Sequence, residues 1–176
     1  MSVTIRKASR RDVPAIQEVE MASRALYRDV EGLEFVAGDS RVLPGEAMEQ
    51  LAEDGRIFLA DKGGRVAGFL CATPMDTSLH IWGAAVAPHF GRSGIGRSLF
   101  EAAEGHARSL GLGSLTVTAF REVPWNEPFL ESLGYMTLDD ALLDERLRHT
   151  LDAEAQSGLP RERRVAMMKV LPRRGG

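Results

Sequence analysis

The run "GRSGIGRS", Gly91 to Ser98, puts three glycines, two arginines and two hydroxyls into eight residues. A glycine-rich turn that opens a helix exposes several main-chain N–H groups, and the helix dipole adds partial positive charge there. Gly91, Gly94 and Gly96 let a ligand approach the backbone closely, while Arg92 and Arg97 supply charge from the side. Gly91, Arg92, Ser93, Gly94, Ile95, Gly96, Arg97 and Ser98 are therefore the candidate residues for holding a phosphate ester, whatever molecule carries it. Three readings compete for them. A nucleotide P-loop would need lysine where Arg97 stands, and no later apolar strand ends in an acid placed to hold magnesium. A dinucleotide fingerprint begins with Gly94-Ile95-Gly96 but meets Leu99 at its third glycine. It also finds Ala119-Phe120 where an acidic strand tip is needed. A turn whose glycines are purely structural is the third.

The elements that must position this run follow from periodicity. "SVTIRKA" alternates as a strand, and a helix with Val13, Ile16, Val19 and Ala22 or Met21 on one stripe follows, with Pro14 in its first turn. Residues 28–44 read as a long loop, either a substrate lid or a disordered stretch. "GEAMEQLAED" reads as a short helix. "RIFLAD" and "RVAGFLCAT" flank "KGG" as a hairpin, and "SLHIWGAAVAP" is a further strand that leads into Gly91. Ile95, Leu99, Ala102, Ala103, Ala107 and Leu110 recur at helical spacing, with Gly111 as the stop. Strand "SLTVTAF", a short helix in "PWNEPFLESLGY", a brief "MTL" segment, a charged helix over 141–157 and a closing strand "RRVAMMKVL" complete the order. The expected fold is α/β (α+β): a mixed, mostly antiparallel sheet of six or seven strands with helices on both faces, in one domain spanning 1–176.

The bulk numbers set limits on function. A net charge of −3 gives no reason to expect non-specific nucleic-acid binding. No apolar run is long enough to span a membrane and no leader pattern opens the chain, so a cytoplasmic protein is expected. The single cysteine, Cys71, excludes an internal disulfide and a cysteine-based zinc site, and its apolar setting predicts an inert buried thiol. No metal is expected.

The segment "AAVAPHFGRSGIGRSLFEAAEGHARSLG" resembles the acetyl-CoA-binding core of the GNAT superfamily of N-acetyltransferases. In that family a strand ends in Val-x-Pro and runs into [Arg/Gln]-x-x-Gly-x-[Gly/Ala] at a helix start. Val86, Pro88, Gly94 and Gly96 match, and "LESLGY" resembles the second signature, which usually ends Leu-Gly-Phe. One departure lies in the loop: the family's Arg or Gln falls at Gly91, with Arg92 one place later. The resemblance implies a sheet splayed at the acetyl-CoA site, with the loop on the CoA pyrophosphate and the pantetheine arm paired to main chain near Ala84, Ala85 and Val86. It also implies direct attack by an amine acceptor on the thioester, with a strand amide stabilising the developing oxyanion.

Two proton-transfer groups are then needed. Many members carry a carboxylate on this strand shortly before Val-x-Pro, and "IWGAA" has none. His80, in phase with Trp82, Ala84 and Val86, is the nearest titratable group and the candidate base, with Glu18, Glu20 and Glu34 as alternatives. His89 reads as lining for the loop. The family's thiolate-protonating tyrosine falls at Leu130 and its asparagine at Val123; Tyr27 and Tyr135 remain as donors. Asn126 suits either a pantetheine contact or a helix cap, and Trp125 and Phe129 suit core or wall. Asn126, Phe129 and Leu130 thus complete the expected cofactor-binding set. Acidic Glu31, Glu34, Asp39, Glu122 and Glu127 suit a cationic acceptor, or simply solubility. The insertion at 139–158 could cover the sheet, wall the pocket or mediate a homodimer. Three functions stay open: a small-molecule amine acetyltransferase, a protein lysine or N-terminal acetyltransferase, and a weakly catalytic CoA-binding module.

Overall fold

The computed structural model describes residues 2–39 and 43–173. Seven strands form one sheet in the order β1-β2-β3-β4-β5-β7-β6. They are β1 (Val3–Lys7), β2 (Ile57–Lys62), β3 (Arg65–Met75), β4 (Ser78–Val86), β5 (Ser114–Phe120), β6 (Met136–Thr137) and β7 (Arg164–Val170). β1 with β2, β2 with β3, β5 with β7 and β6 with β7 pair antiparallel, and β4 with β5 pairs parallel. The helices are α1 (Val13–Arg24), α2 (Glu34–Ala37), α3 (Gly45–Glu53), α4 (Ile95–Ser109), α5 (Glu127–Ser132) and α6 (Glu145–Gln156). The expected mixed sheet with helices is present. Among the described residues no helix is long and apolar enough to cross a membrane, and no cluster of three or more His, Cys, Asp or Glu could hold a metal.

The chain divides into two compact units. The first comprises Met1–Thr73 and Trp82–His106. Its core gathers Val13, Ile16 and Val19 of α1, Met48 and Ala52 of α3, and Ile57, Leu59, Phe69 and Cys71 of the sheet, with Ala87 just past β4. These are the stripe residues that helical and strand periodicity bring to one side. Met21 and Ala22 fall off that stripe and are exposed, as is Leu110 beyond α4. Burial pushes the Cys71 thiol up to about 11, so it stays protonated.

The stretch 28–44 is not the plain loop that its composition suggests. A 3-10 turn at Ala25–Asp29 and the four-residue α2 bury Tyr27, Leu33 and Val36. So short a helix is marginal alone and exists here by packing, which no periodic signal announces. Residues 40–42 of the supposed lid lie outside the described residues.

The second unit comprises Pro74–Ile81 and Ala107–Gly176. It contains the first half of β4, all of β5, β6 and β7, and helices α5 and α6. α6 buries Leu147 and Leu151 with Leu143, Ala166 and Leu138. Asp144 caps α6 by accepting the Leu147 N–H at 2.7 Å.

Candidate active site

The glycine run begins where β4 ends. Ala87 donates its N–H to Ala67 O at 2.8 Å, and Pro88–Phe90 form a 3-10 turn closed by Gly91 N–H to Pro88 O at 3.0 Å. Arg92 (φ 59°) and Gly94 (φ 79°) then take left-handed conformations on either side of Ser93. Such alternation turns successive N–H groups toward one concave side, a geometry that receives anions. The first bond of α4 is Ser98 N–H to Gly94 O, 3.0 Å, and the Ser98 hydroxyl donates to the same oxygen at 3.1 Å. The N–H groups of Ile95, Gly96 and Arg97 precede that bond and point out of the helix end. Gly91 to Gly94 and Arg97 are exposed.

Two glycines explain this shape. A Cβ at Gly94 would touch nothing, so the left-handed backbone alone asks for glycine there. A Cβ at Gly91 would sit 3.1 Å from Pro88 O, a tight contact that the turn would relieve by a shift of a few tenths of an ångström. A third glycine, unnoticed in the sequence, positions the whole element. Gly68 of β3 lies beside an irregularity in the β2–β3 register between Ala60 and Asp61. A Cβ at Gly68 would stand 2.8 Å from Ala85 O, 3.2 Å from Leu99 Cδ1 and 3.3 Å from Ile95 Cγ2. Its bareness lets β4 and the first turn of α4 close on β3. A lone glycine inside a strand was the available signal.

β4 pairs with β5 only from Ser78↔Ser114 to Ile81↔Val117. Trp82 to Val86 lie past that ladder, with Ala84 exposed and Ala85 and Val86 half-buried. Trp82 is 52 % exposed, yet its indole N–H is fixed on Thr73 Oγ1 at 2.7 Å.

His80 shares a strand face with Trp82 and Ala84, as alternation requires, but it is 1 % exposed. Its Nδ1 lies 2.8 Å from Thr116 Oγ1 and 3.3 Å from an Arg146 nitrogen. Arginine only donates, so Nδ1 accepts and the imidazole proton sits on Nε2. Burial, reinforced by the Arg146 charge, lowers the His80 pKa to about 4. The imidazole is thus neutral at pH 7 and shielded from solvent, which argues against its expected role of taking a proton from an arriving amine. The signal that could have found its partner was Arg146, which in a charged helix reads as a solvated residue.

In the second unit, Asn126 does not cap α5 with its side chain. Its Oδ1 faces the Phe120 N–H at 3.4 Å, at the end of β5. Phe129 is half-buried, and Leu130, in the family's tyrosine position, is buried with its N–H on Asn126 O at 2.9 Å. Glu127 is buried instead of facing an acceptor: it receives the Glu122 N–H at 3.1 Å and the Thr137 hydroxyl at 2.7 Å. Tyr27 and Tyr135 are both buried. His89 is exposed and its ring lies 4.1 Å from that of Phe90. Glu20 pairs with Arg24 at 2.9 Å, while Glu18 and Glu34 are exposed.

Comparison with known proteins adds the family. The model of the acetyltransferase (GNAT) family matches residues 17–135. Among solved structures, the PaiA N-acetyltransferase of Thermoplasma acidophilum, in complex with coenzyme A, is 18% identical over 97% of this chain and 100% of its own, with a TM-score of 0.76. N-acetylglutamate synthase of Neisseria gonorrhoeae, complexed with coenzyme A and N-acetyl-glutamate, is 20% identical over 98% of this chain but only 36% of its own, TM-score 0.71. The ribosomal-protein-S18-alanine N-acetyltransferase of Escherichia coli is 17% identical over 99% and 97%, TM-score 0.65. At these identities the likeness is one of fold.

Proposed function

Because the chain belongs to the GNAT acetyltransferase family, we propose that it transfers the acetyl group of acetyl-CoA to a primary amine of a small molecule, by direct attack when both are bound. The observation that carries this reading is the pair of left-handed residues, Arg92 and Gly94, at the mouth of α4. In this reading the N–H groups of Arg92, Ser93, Gly94, Ile95, Gly96 and Arg97 grip the CoA pyrophosphate, while Gly91 and Ser98, whose N–H and hydroxyl donate to Pro88 O and Gly94 O, hold the turn in shape. Arg92 and Arg97, both exposed, add charge. The main chain of Ala84, Ala85 and Val86 meets the pantetheine amides, since Trp82 to Val86 lie past the β5 ladder.

The bound thioester supplies the activated acetyl group. The acceptor nitrogen forms a C–N bond to the carbonyl carbon, the C–S bond breaks, and the nitrogen loses a proton. Residues 81–87, "IWGAAVA", carry no titratable side chain. In this reading the proton leaves through water, and the departing thiolate, a good leaving group, takes one from the same source. Exposed Glu31 and Glu34 favour a cationic acceptor approaching the first unit.

The buried leucine in the family's tyrosine position favours a second reading, a CoA-binding module of low turnover. Thiol release from acetyl-CoA, measured over a panel of small amines and of peptides bearing lysine or free N-termini, separates the readings. Turnover on small amines is expected. Turnover on peptides alone would assign a protein acetyltransferase, and tight CoA binding with a flat panel would assign the module.

A further inference from the structure

The chain has three lysines, and Lys7 is exposed where Lys62 and Lys169 are half-buried. The β1–β2 register sets Lys7 opposite Phe58, and directly opposed residues share a sheet face. Lys7 Nζ lies 3.9 Å from the centre of the Phe58 ring and donates to Gly55 O at 2.5 Å. The Phe58 ring also meets His106 of α4, with centroids 5.6 Å apart and planes at 69°. A buried ring thus floors the amine and one carbonyl fixes one of its N–H groups. Every residue concerned belongs to the first unit.

The charges that bear on this amine set it apart. Arg56 follows Gly55, and neither Lys7 nor Arg56 forms an ion pair among the described residues. Arg6, Arg10 and Arg24 of the same unit do, with Asp12 at 2.8 Å, Glu49 at 2.7 Å and Glu20 at 2.9 Å. The acids beside Gly55 are engaged elsewhere: Glu53 lies 3.5 Å from Arg10, and Asp54 accepts from Gln50 at 2.9 Å. Asp12 and Asp61 pair with Arg6, which alternation puts on the sheet face opposite Lys7. Partial burial, then the Arg56 charge, lowers the Lys7 pKa below its ordinary value, against the attraction of the ring for the ammonium. The amine is therefore neutral more often than a solvated lysine, and the unpaired guanidinium near it draws anions.

We propose that Lys7 is a modification site that takes an acyl group from an anionic acyl donor in solution, of the class of CoA thioesters. The neutral amine attacks the thioester carbonyl carbon. A C–N bond forms, the C–S bond breaks, and its electron pair leaves on the CoA sulfur. The nitrogen passes one proton to water and the thiolate takes one up. The amide product keeps an N–H for Gly55 O and carries no charge, so its repulsion with Arg56 ends. The donor arrives from solution, so the inference stands apart from the grip of the glycine turn on CoA.

The test incubates the full chain with acetyl-CoA, folded and in urea, and follows acetylation of each lysine by mass spectrometry. In the folded chain Lys7 is expected to react about fivefold faster than Lys62 or Lys169, a lead that urea abolishes. Arg56→Met should slow Lys7 about threefold and leave the other two lysines unchanged. Lys7→Arg should lose the main adduct while amine turnover stays at the wild-type level. Equal rates at the three lysines of the folded chain, or a Lys7 rate that urea does not lower, would overturn the proposal whether or not Arg56→Met folds. A folded Arg56→Met labelled like the wild type would overturn it as well. Any of these results beside normal amine turnover leaves the acetyltransferase reading intact. Rapid labelling of Lys7 in a chain that acetylates no amine would keep the proposal and remove that reading.

Discussion

The turn at Gly91–Ser98 and the polar cluster between α6 and the sheet are built on opposite plans. The turn is made of main chain, lies in the open, and owes its chemistry to where side chains are missing. The cluster is made of side chains, lies buried, and draws its members from four elements: His80 of β4, Thr116 and Thr118 of β5, Arg146 and Glu154 of α6, and Arg164 of β7. A site written in backbone announces itself through glycine, whereas a network of side chains gives no sign until the elements meet.

The contrast is sharpest if each region is broken by one charge. Gly94→Asp places a carboxylate beside the anion-receiving N–H groups, in a left-handed conformation that disfavours most side chains. CoA affinity should fall by about a thousandfold or more, measured by calorimetry on the folded variant. Gly94→Asn, uncharged and tolerant of that conformation, should lose far less. An unchanged affinity in Gly94→Asp would place the pyrophosphate elsewhere.

Glu154→Ala makes the matching cut in the buried cluster. Arg164 donates to Glu154 through Nε at 3.0 Å and through a terminal nitrogen at 3.1 Å, with Thr118 bonded to both side chains. Arg164 also lies over the Phe120 ring at 4.4 Å, so without Glu154 a buried cation is left unpaired. Denaturation should show a loss of about 3 kcal/mol. The same variant should bind CoA normally wherever it is folded. A parallel loss of CoA affinity would merge the two regions into one.

A smaller effect reads the cluster by pH. His80 has a folded pKa of about 4 against an ordinary value of 6.5, through burial and the neighbouring Arg146, opposed weakly by Glu154 and Asp144. Above pH 6.5 the imidazole is neutral in both states and costs nothing. As pH falls from 6.5 toward 4 the unfolded chain takes up a proton that the folded chain refuses, so stability declines by about 2 kcal/mol over that window. Asp12, held below the usual carboxylate range by its bond to Arg6, acts only at lower pH. Urea titrations of His80→Asn should lack the slope between pH 6.5 and 4, and an unaltered slope would show that His80 is not its source.

How much was legible follows the same division. The succession of strands and helices along the chain, the hairpin turn at Gly63-Gly64 and the stop at Gly111 were readable because alternation, helical spacing and left-handed glycines are local properties. The glycine turn before α4 was readable for the same reason. α2 was not, since four residues give no period to detect. Glu127 looked like a solvated acid because nothing near it in sequence shows that Thr137 and the Glu122 amide converge on it. His80 looked available because alternation gives its face but not its cover, and the cover, Arg146, comes from 66 residues away.

Gly68 carries one last consequence. The anion-receiving turn takes its seat from a residue more than twenty positions upstream, whose only contribution is that it has no side chain to hinder Ala85, Ile95 or Leu99. Substitution with alanine there would present as a defect in substrate binding although the altered residue never meets a substrate. Under the proposed function, the grip on CoA would be inherited from the closeness of two neighbouring strands, and drift at a silent interior position would retune it.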